Sequence, residues 1–249
     1  MLNIVPLAVS GSALLLSIIS YIYSVITKKY ETLRTLRLQL SDVFSRIYAT
    51  DLESLKVSGQ AGITETLRQA EIGQLNQQRY FLLHQAMRLA EDIPKLVTDV
   101  EYNTIAYTSA NVGDPLNADK FYRKANDAAP TPFFQSSAIR SYAVFLFNQH
   151  RFEEGRRQFE NAASLITGSD NQARFARGTV YQNWAYSEHT LANSPKRAEQ
   201  CVESARSEFS GIDVETFRNQ LMAQLESQTA PFPKPVPAVA QPNAGAAAP

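Results

Sequence analysis

The stretch Asp114–Pro130, DPLNADKFYRKANDAAP, decides the fold. Proline fixes its own φ and lacks an N–H, so Pro115 suits the first position of a helix. Asp114, just before it, carries a side-chain oxygen that accepts from first-turn amides. Ala118, Tyr122 and Ala125 follow at spacings that share one helical face. The order small, aromatic, small admits a second helix at close range and fills the gap with one ring. Pro130 then ends the segment. So short a helix cannot bury its apolar face alone, and the stretch therefore predicts partner helices.

The same signals recur along the chain. Thr131–Pro132 and Ser194–Pro195 again pair a capping residue with a proline, and Gly113 and Gly168 fall where helix ends are expected. Long β-branched alternation is missing, so the reading is all-α. Gly155, Phe159 and Ala162 repeat the pattern of Ala118, Tyr122 and Ala125, as do Ala198, Val202 and Ala205 with an aliphatic centre. The helices before them carry Tyr102, Ile105 and Ala106, then Ile139, Tyr142 and Ala143, then Tyr181, Trp184 and Ala185.

These residues resemble the tetratricopeptide repeat family over roughly residues 99–209, with units about 99–130, 136–168 and 179–211. The likeness is degenerate. The family's tryptophan, leucine and glycine of the first helix are mostly missing, Gly155 stands where alanine is usual, and only the first unit has the closing proline. The resemblance implies an α-solenoid whose first helices line a groove for a protein partner. Carried over by position, it assigns that groove Asn103, Tyr107, Arg140 and Asn183. Asparagines would hold a peptide backbone, and Arg140 would fork onto a carboxylate. The alternatives are a non-repeating helical bundle and ordinary solvated polar side chains.

The flanks read differently. Ile4–Ile26 is uncharged and mostly apolar, long enough as a helix to cross the roughly 30 Å of a hydrocarbon core. It lacks the basic n-region and A-x-A site of a cleaved signal, so residues 1–27 are expected to be a transmembrane anchor in a single-pass membrane protein. Lys28, Lys29, Arg34 and Arg37 follow, which predicts a cytoplasmic location for the bulk of the chain. Residues 28–56 form a juxtamembrane helix with an a/d seam of Leu33, Leu36, Leu40, Val43 and Ile47. A homodimer through this helix is one reading. Docking onto the repeats is the other, favoured because Leu38, Phe44, Leu52 and Leu55 widen the apolar face. Lys56–Gly62 reads as a loop. Residues 63–228 form the helical domain: a long helix over Ile63–Asp92, a further helix started by Pro94, and a terminal helix 213–228 with an imperfect capping box at Asp213. The Pro/Ala-rich tail 229–249 has no core to fold around.

Composition and motifs narrow the function. Basic and acidic side chains balance at 24 each, which gives no sign of nucleic-acid binding. No phosphate loop, dinucleotide fingerprint, metal spacing or nucleophile elbow occurs, so no cofactor, metal or enzyme activity is expected. Cys201 is expected to be a buried thiol, His84 an ordinary helix residue, and Arg151, Glu153, Glu154, Arg156 and Arg157 a solvated face. The function expected is a membrane-anchored protein–protein interaction adaptor or scaffold. The alternatives are a structural subunit or assembly factor of a membrane or envelope complex, and then an enzyme.

Overall fold

A computed structural model describes residues 4–60 and 62–229, with side chains from residue 20 onward. Among these residues every regular element is helical. In chain order they are α1 (Ile4–Gly59), α2 (Glu65–Asp92), a 3-10 turn (Pro94–Leu96), α3 (Asp99–Asn111), α4 (Pro115–Ala128), α5 (Pro132–Asn148), α6 (Phe152–Ser164), α7 (Asn171–Thr190), α8 (Pro195–Ser210) and α9 (Glu215–Thr229). They fall into two compact units that part between Ala118 and Asp119.

The local signals explain most helix starts. Thr131 Oγ1 accepts from the Phe134 amide at the head of α5, with Pro132 inside the first turn. Asp114 Oδ1 accepts from the Asn117 amide at the head of α4. Gly113 has φ +83, a left-handed conformation that glycine adopts without strain, and it ends α3. At α3 Thr98 and Glu101 cap each other reciprocally, a capping box spelled out in the sequence as T-x-x-E. Pro94 starts only a single 3-10 turn, because the true start lies at that box four residues on. Lys56–Gly59 is the last turn of α1, not loop.

In the first unit α1 packs on α2, and α2 on α3. The predicted seam of α1 is the docked face: Leu40, Val43 and Ile47 are buried, as are Thr50 and Val57 further along the same line. Phe44 is buried beside them. Leu38, Leu52 and Leu55, expected to widen that face, are 63%, 56% and 70% exposed and point elsewhere. In α2 Leu82, Leu83, Ala86, Leu89 and Ala90 are buried as expected. Leu67 and Ala70, also expected inward, are exposed in its first turns. Arg79 of α2 binds Asp51 of α1 at 2.7 Å, and Arg37 of α1 binds Glu101 of α3.

The second unit is two hairpins, α5–α6 and α7–α8, closed by α9. α7 packs on both α5 and α6, and α9 on α8 and α7. Two glycines set the hairpin spacing. A Cβ on Gly155 of α6 would lie 2.7 Å from Cε2 of Phe147 of α5, and one on Gly178 of α7 would lie 2.6 Å from Cδ1 of Phe209 of α8. Both rings are fully buried. Small residues thus meet large rings across each hairpin; the sequence spacing marks Gly155 as a close-approach position, while Gly178 lies outside any such pattern. Ser136 Oγ donates to the Ala162 carbonyl at 2.7 Å, a further tie between α5 and α6.

Arginines clamp successive helices. Arg151, ahead of α6, reaches Asp119 of α4 at 2.8 Å, and Tyr142 of α5 donates to the same carboxylate at 2.7 Å. Arg177 of α7 forks onto Glu208 of α8, both bonds 2.8 Å. Burial works to raise the Asp119 pKa, but hydrogen bonds from Arg123, Arg151 and Tyr142 outweigh it and hold the carboxyl at about 2, below its ordinary 3.8. Stability from this group is therefore present above its unfolded pKa and lost as pH falls through the folded value. Asp119→Asn is expected to cost about 1 kcal/mol near neutral pH, allowing for solvent screening. The gap from the parent should close between about pH 4 and about pH 2, as urea midpoints across that range would show. A pH-independent gap would contradict the assignment.

Candidate functional site

In the second unit charged, polar and aromatic side chains converge on a trough between α6 and α8. Glu153, Arg156, Arg157 and Glu160 line one wall, and Arg197, Gln200, Cys201 and Ser204 the other. Each set is spaced i, i+3, i+4, i+7, one stripe of a helix. Tyr181 and Trp184 of α7 form the floor, and the cavity measures about 490 Å³. That volume falls within the range of small-ligand and peptide-side-chain pockets, roughly 300–1,000 Å³.

The floor is rigid because it belongs to the core. Trp184 stacks on Phe159 with centroids 5.7 Å apart and planes 8° apart, and Tyr181 lies nearly parallel to Trp184 at 6.4 Å. Both floor residues pack on the α5–α6 cluster and on the α7–α9 cluster, so they join the two. Beneath them Glu188 is fully buried. Arg156 forks onto it through Nε and Nη2, both at 2.7 Å, and Trp184 Nε1 donates to it at 3.0 Å. A buried carboxylate needs such partners, since an unpaired one would cost several kcal/mol. The Arg156 guanidinium also reaches Glu153 and lies 6.0 Å from the Phe147 ring.

The charged segment 151–157 is therefore not simply a solvated face. Arg156 keeps only 14% of its side-chain exposure, because Glu188, distant in sequence, draws it inward. Arg151 is spent on Asp119 and Glu154. Arg157 and Arg197 stay exposed, and among the described residues neither forms an ion pair with a carboxylate. Cys201 is buried as expected; burial first, then the Glu188 charge, pushes its thiol up to about 12. It offers no thiolate near neutral pH.

The residues assigned by family register are dispersed. Asn103 and Tyr107 lie on α3 in the first unit; Arg140 and Asn183 lie on α5 and α7 in the second. Asn103 is half-buried, and its Oδ1 has no partner among the described residues. Tyr107 is 56% exposed. Arg140 is half-buried, donates to Ser137 Oγ at 3.3 Å, and has its pKa lowered by burial. Asn183 Nδ2 is committed to the Thr179 carbonyl at 2.8 Å on its own helix. None of the four lines the trough. Its walls come from second helices of the hairpins, whereas the register pointed to first helices. The signal available was the pair of charged i, i+3, i+4, i+7 stripes at 153–160 and 197–204. His84 is exposed, with its ring edge-on to Tyr80 at 4.3 Å.

Compared with protein-family models, with curated proteins and with solved structures, the chain matches none. The site must be read from its own geometry.

Proposed function

We propose that this chain is a membrane-tethered interaction adaptor whose tetratricopeptide-like hairpins hold a protein partner. The observation that carries the reading is the α6–α8 trough: a fixed aromatic floor rimmed by two uncommitted arginines. Aromatic anchors and arginines dominate binding energy at protein interfaces, and a rigid floor spares the entropy of ordering it. Support for a short solenoid comes from the second unit, where each hairpin packs on the next. The partner chemistry that fits is an extended or helical segment with an apolar side chain for the floor and a carboxylate for Arg157 or Arg197.

The anchor is the second half of the proposal. Among the described residues no helix is long and apolar enough to cross a membrane. The run Ile4–Ile26 lies mostly among residues 1–19, whose side chains are outside the described residues. At its end Tyr21 and Tyr23 are 72% and 71% exposed, and Ile22, Val25 and Ile26 about half exposed. Apolar groups left uncovered on all sides suit lipid rather than water. Tethering confines the trough to a surface and raises the effective concentration of its partner there. The full chain is expected to float with phosphatidylcholine–phosphatidylglycerol vesicles through an alkaline carbonate wash, and a chain starting at Lys28 to stay in the soluble fraction. A reporter fused after Gln228 is expected to read the cytoplasmic side. Full-length protein stripped from vesicles by carbonate would refute the anchor.

A further inference from the structure

We infer that Lys28, Lys29 and Arg34 form a cationic collar on α1 that binds the phosphates of anionic lipid headgroups. The inference rests on the anchored reading of the preceding section and names the lipid that the anchor meets.

The collar occupies a bare stretch of helix. α1 runs unbroken from Ile4 to Gly59, and α2 packs on its C-terminal part. That packing half-buries Leu33, Leu36 and Arg37 and fully buries Leu40. Nearer the apolar run, Lys28, Lys29, Tyr30, Glu31 and Thr32 are all exposed, and so is Arg34. Among the described residues none of the three cations forms an ion pair with a carboxylate. Lys28 and Lys29 are the first charged side chains of the chain, and Glu31 is the only acid before Asp42. Three cations against one carboxylate leave residues 28–34 net positive.

The spread of these charges says what meets them. Lys29 lies about 100° round the helix from Lys28, and Arg34 about 240°. The three therefore face three sides, with no gap wider than about 140°. A folded protein partner covers one side of a helix. A headgroup layer surrounds the helix and meets all three cations at once.

Their height agrees with such a layer. At 1.5 Å per residue, Lys28 and Lys29 stand about 3 and about 4.5 Å past Ile26, where the apolar run ends. The headgroup region is about 5–7 Å thick on each side of the hydrocarbon core, so both lysines lie within it. Arg34 stands about 12 Å past Ile26. Helical side chains lean towards the N-terminus, which on α1 is towards the lipid, and a long arginine stem can lie along the helix with its head in the polar layer. Tyr21, Tyr23 and Tyr30, all exposed, add the amphipathic rings that settle at this level. Ammonium and guanidinium groups form charge-assisted hydrogen bonds with phosphate, and cations clustered beside a span attract anionic lipid. A grip at this point sets the depth of α1 and holds the α1–α2 hairpin at an anionic leaflet.

The test uses the full chain in phosphatidylcholine vesicles with phosphatidylglycerol as the minor lipid. Tyr23→Trp places an indole among the acyl chains beside the collar, and the parent chain, with Trp184 alone, gives the background. Brominated acyl chains quench indole by contact. The bromine is carried either by the phosphatidylglycerol or by an equal amount of the phosphatidylcholine, so the vesicles differ only in which lipid quenches. Quenching is expected to be at least about twofold greater from phosphatidylglycerol, because the collar enriches that lipid around the helix. The preference should be lost with Lys28→Gln, Lys29→Gln and Arg34→Gln together, and kept with Lys28→Arg and Lys29→Arg. Without any change at the collar, it should also fall in about 0.5 M sodium chloride, where screening is short-ranged. Equal quenching by the two lipids, or a preference that survives removal of all three cations, overturns the collar and leaves the anchor intact. No quenching by either lipid places α1 outside the bilayer, which refutes the anchor and the collar with it.

Discussion

Arg156→Ala is expected to destabilise the second unit by about 3–5 kcal/mol, because it leaves Glu188 charged, buried and short of its main partner. Glu188 would retain only the Trp184 N–H at 3.0 Å. The cost should come from stranding the charge rather than from losing an attraction. Replacing both partners with apolar side chains of similar volume, Arg156→Met with Glu188→Leu, is therefore expected to cost far less, about 1–2 kcal/mol or nothing. Urea unfolding followed by fluorescence reads this directly, since Trp184 is the only tryptophan and sits on the pair. If the double variant were as damaged as the single one, the pair would be contributing mainly by attraction, and the stranded-charge account would be wrong.

The second large effect is expected at the α7–α8 hairpin. Phe209→Ala removes a fully buried ring and should cost about 3–5 kcal/mol. Gly178→Leu forces a side chain into the space that ring occupies and should cost about 1–3 kcal/mol, even though leucine favours a helix over glycine by roughly 1 kcal/mol. Together the two changes exchange which helix supplies the bulk. Their combined cost is expected to be at least about 1 kcal/mol less than the sum, a coupling that distant sites do not show. Gly211 gives the contrast: a Cβ there meets only the guanidinium end of Arg174, which swings aside, so Gly211→Ala should be close to neutral. Strict additivity at Gly178 and Phe209 would mean that the hairpins are not spaced by that contact.

Local chemistry made the fold readable. Prolines at first positions, the capping side chains of Asp114 and Thr131 and glycine at a left-handed end act within one turn, so Asp114–Pro115, Thr131–Pro132 and Ser194–Pro195 marked α4, α5 and α8 from sequence, although the Ser194 side chain makes no cap bond. Small-to-aromatic spacing marked Gly155 as a place of close helix approach, but its partner Phe147 lies on the preceding helix and the spacing did not name it. Gly178 escaped because its partner, Phe209, lies on the next helix and nothing nearby announces it. The same holds for the site. Arg156 looked like one charge among five until Glu188, 32 residues on, drew it inward. Leu38 and Leu52 seemed part of one wide face, yet an apolar helix pattern does not say which of two opposite lines the domain will cover. The trough residues required knowing that α6 and α8 come to flank α7.

The central claim, that the trough holds a protein partner, is tested most directly by charge reversal at its two free arginines. Arg157→Glu with Arg197→Glu lies at exposed positions, so the unfolding free energy from urea titration should stay within about 0.5 kcal/mol of the parent. Proximity labelling in cells, followed by co-purification of the full chain, is then run in parallel for parent and variant. The account predicts that at least one protein captured by the parent falls by about tenfold or more with the variant, about 1.4 kcal/mol of binding. An unchanged set of captured proteins, from a variant that folds and floats as the parent does, would contradict it.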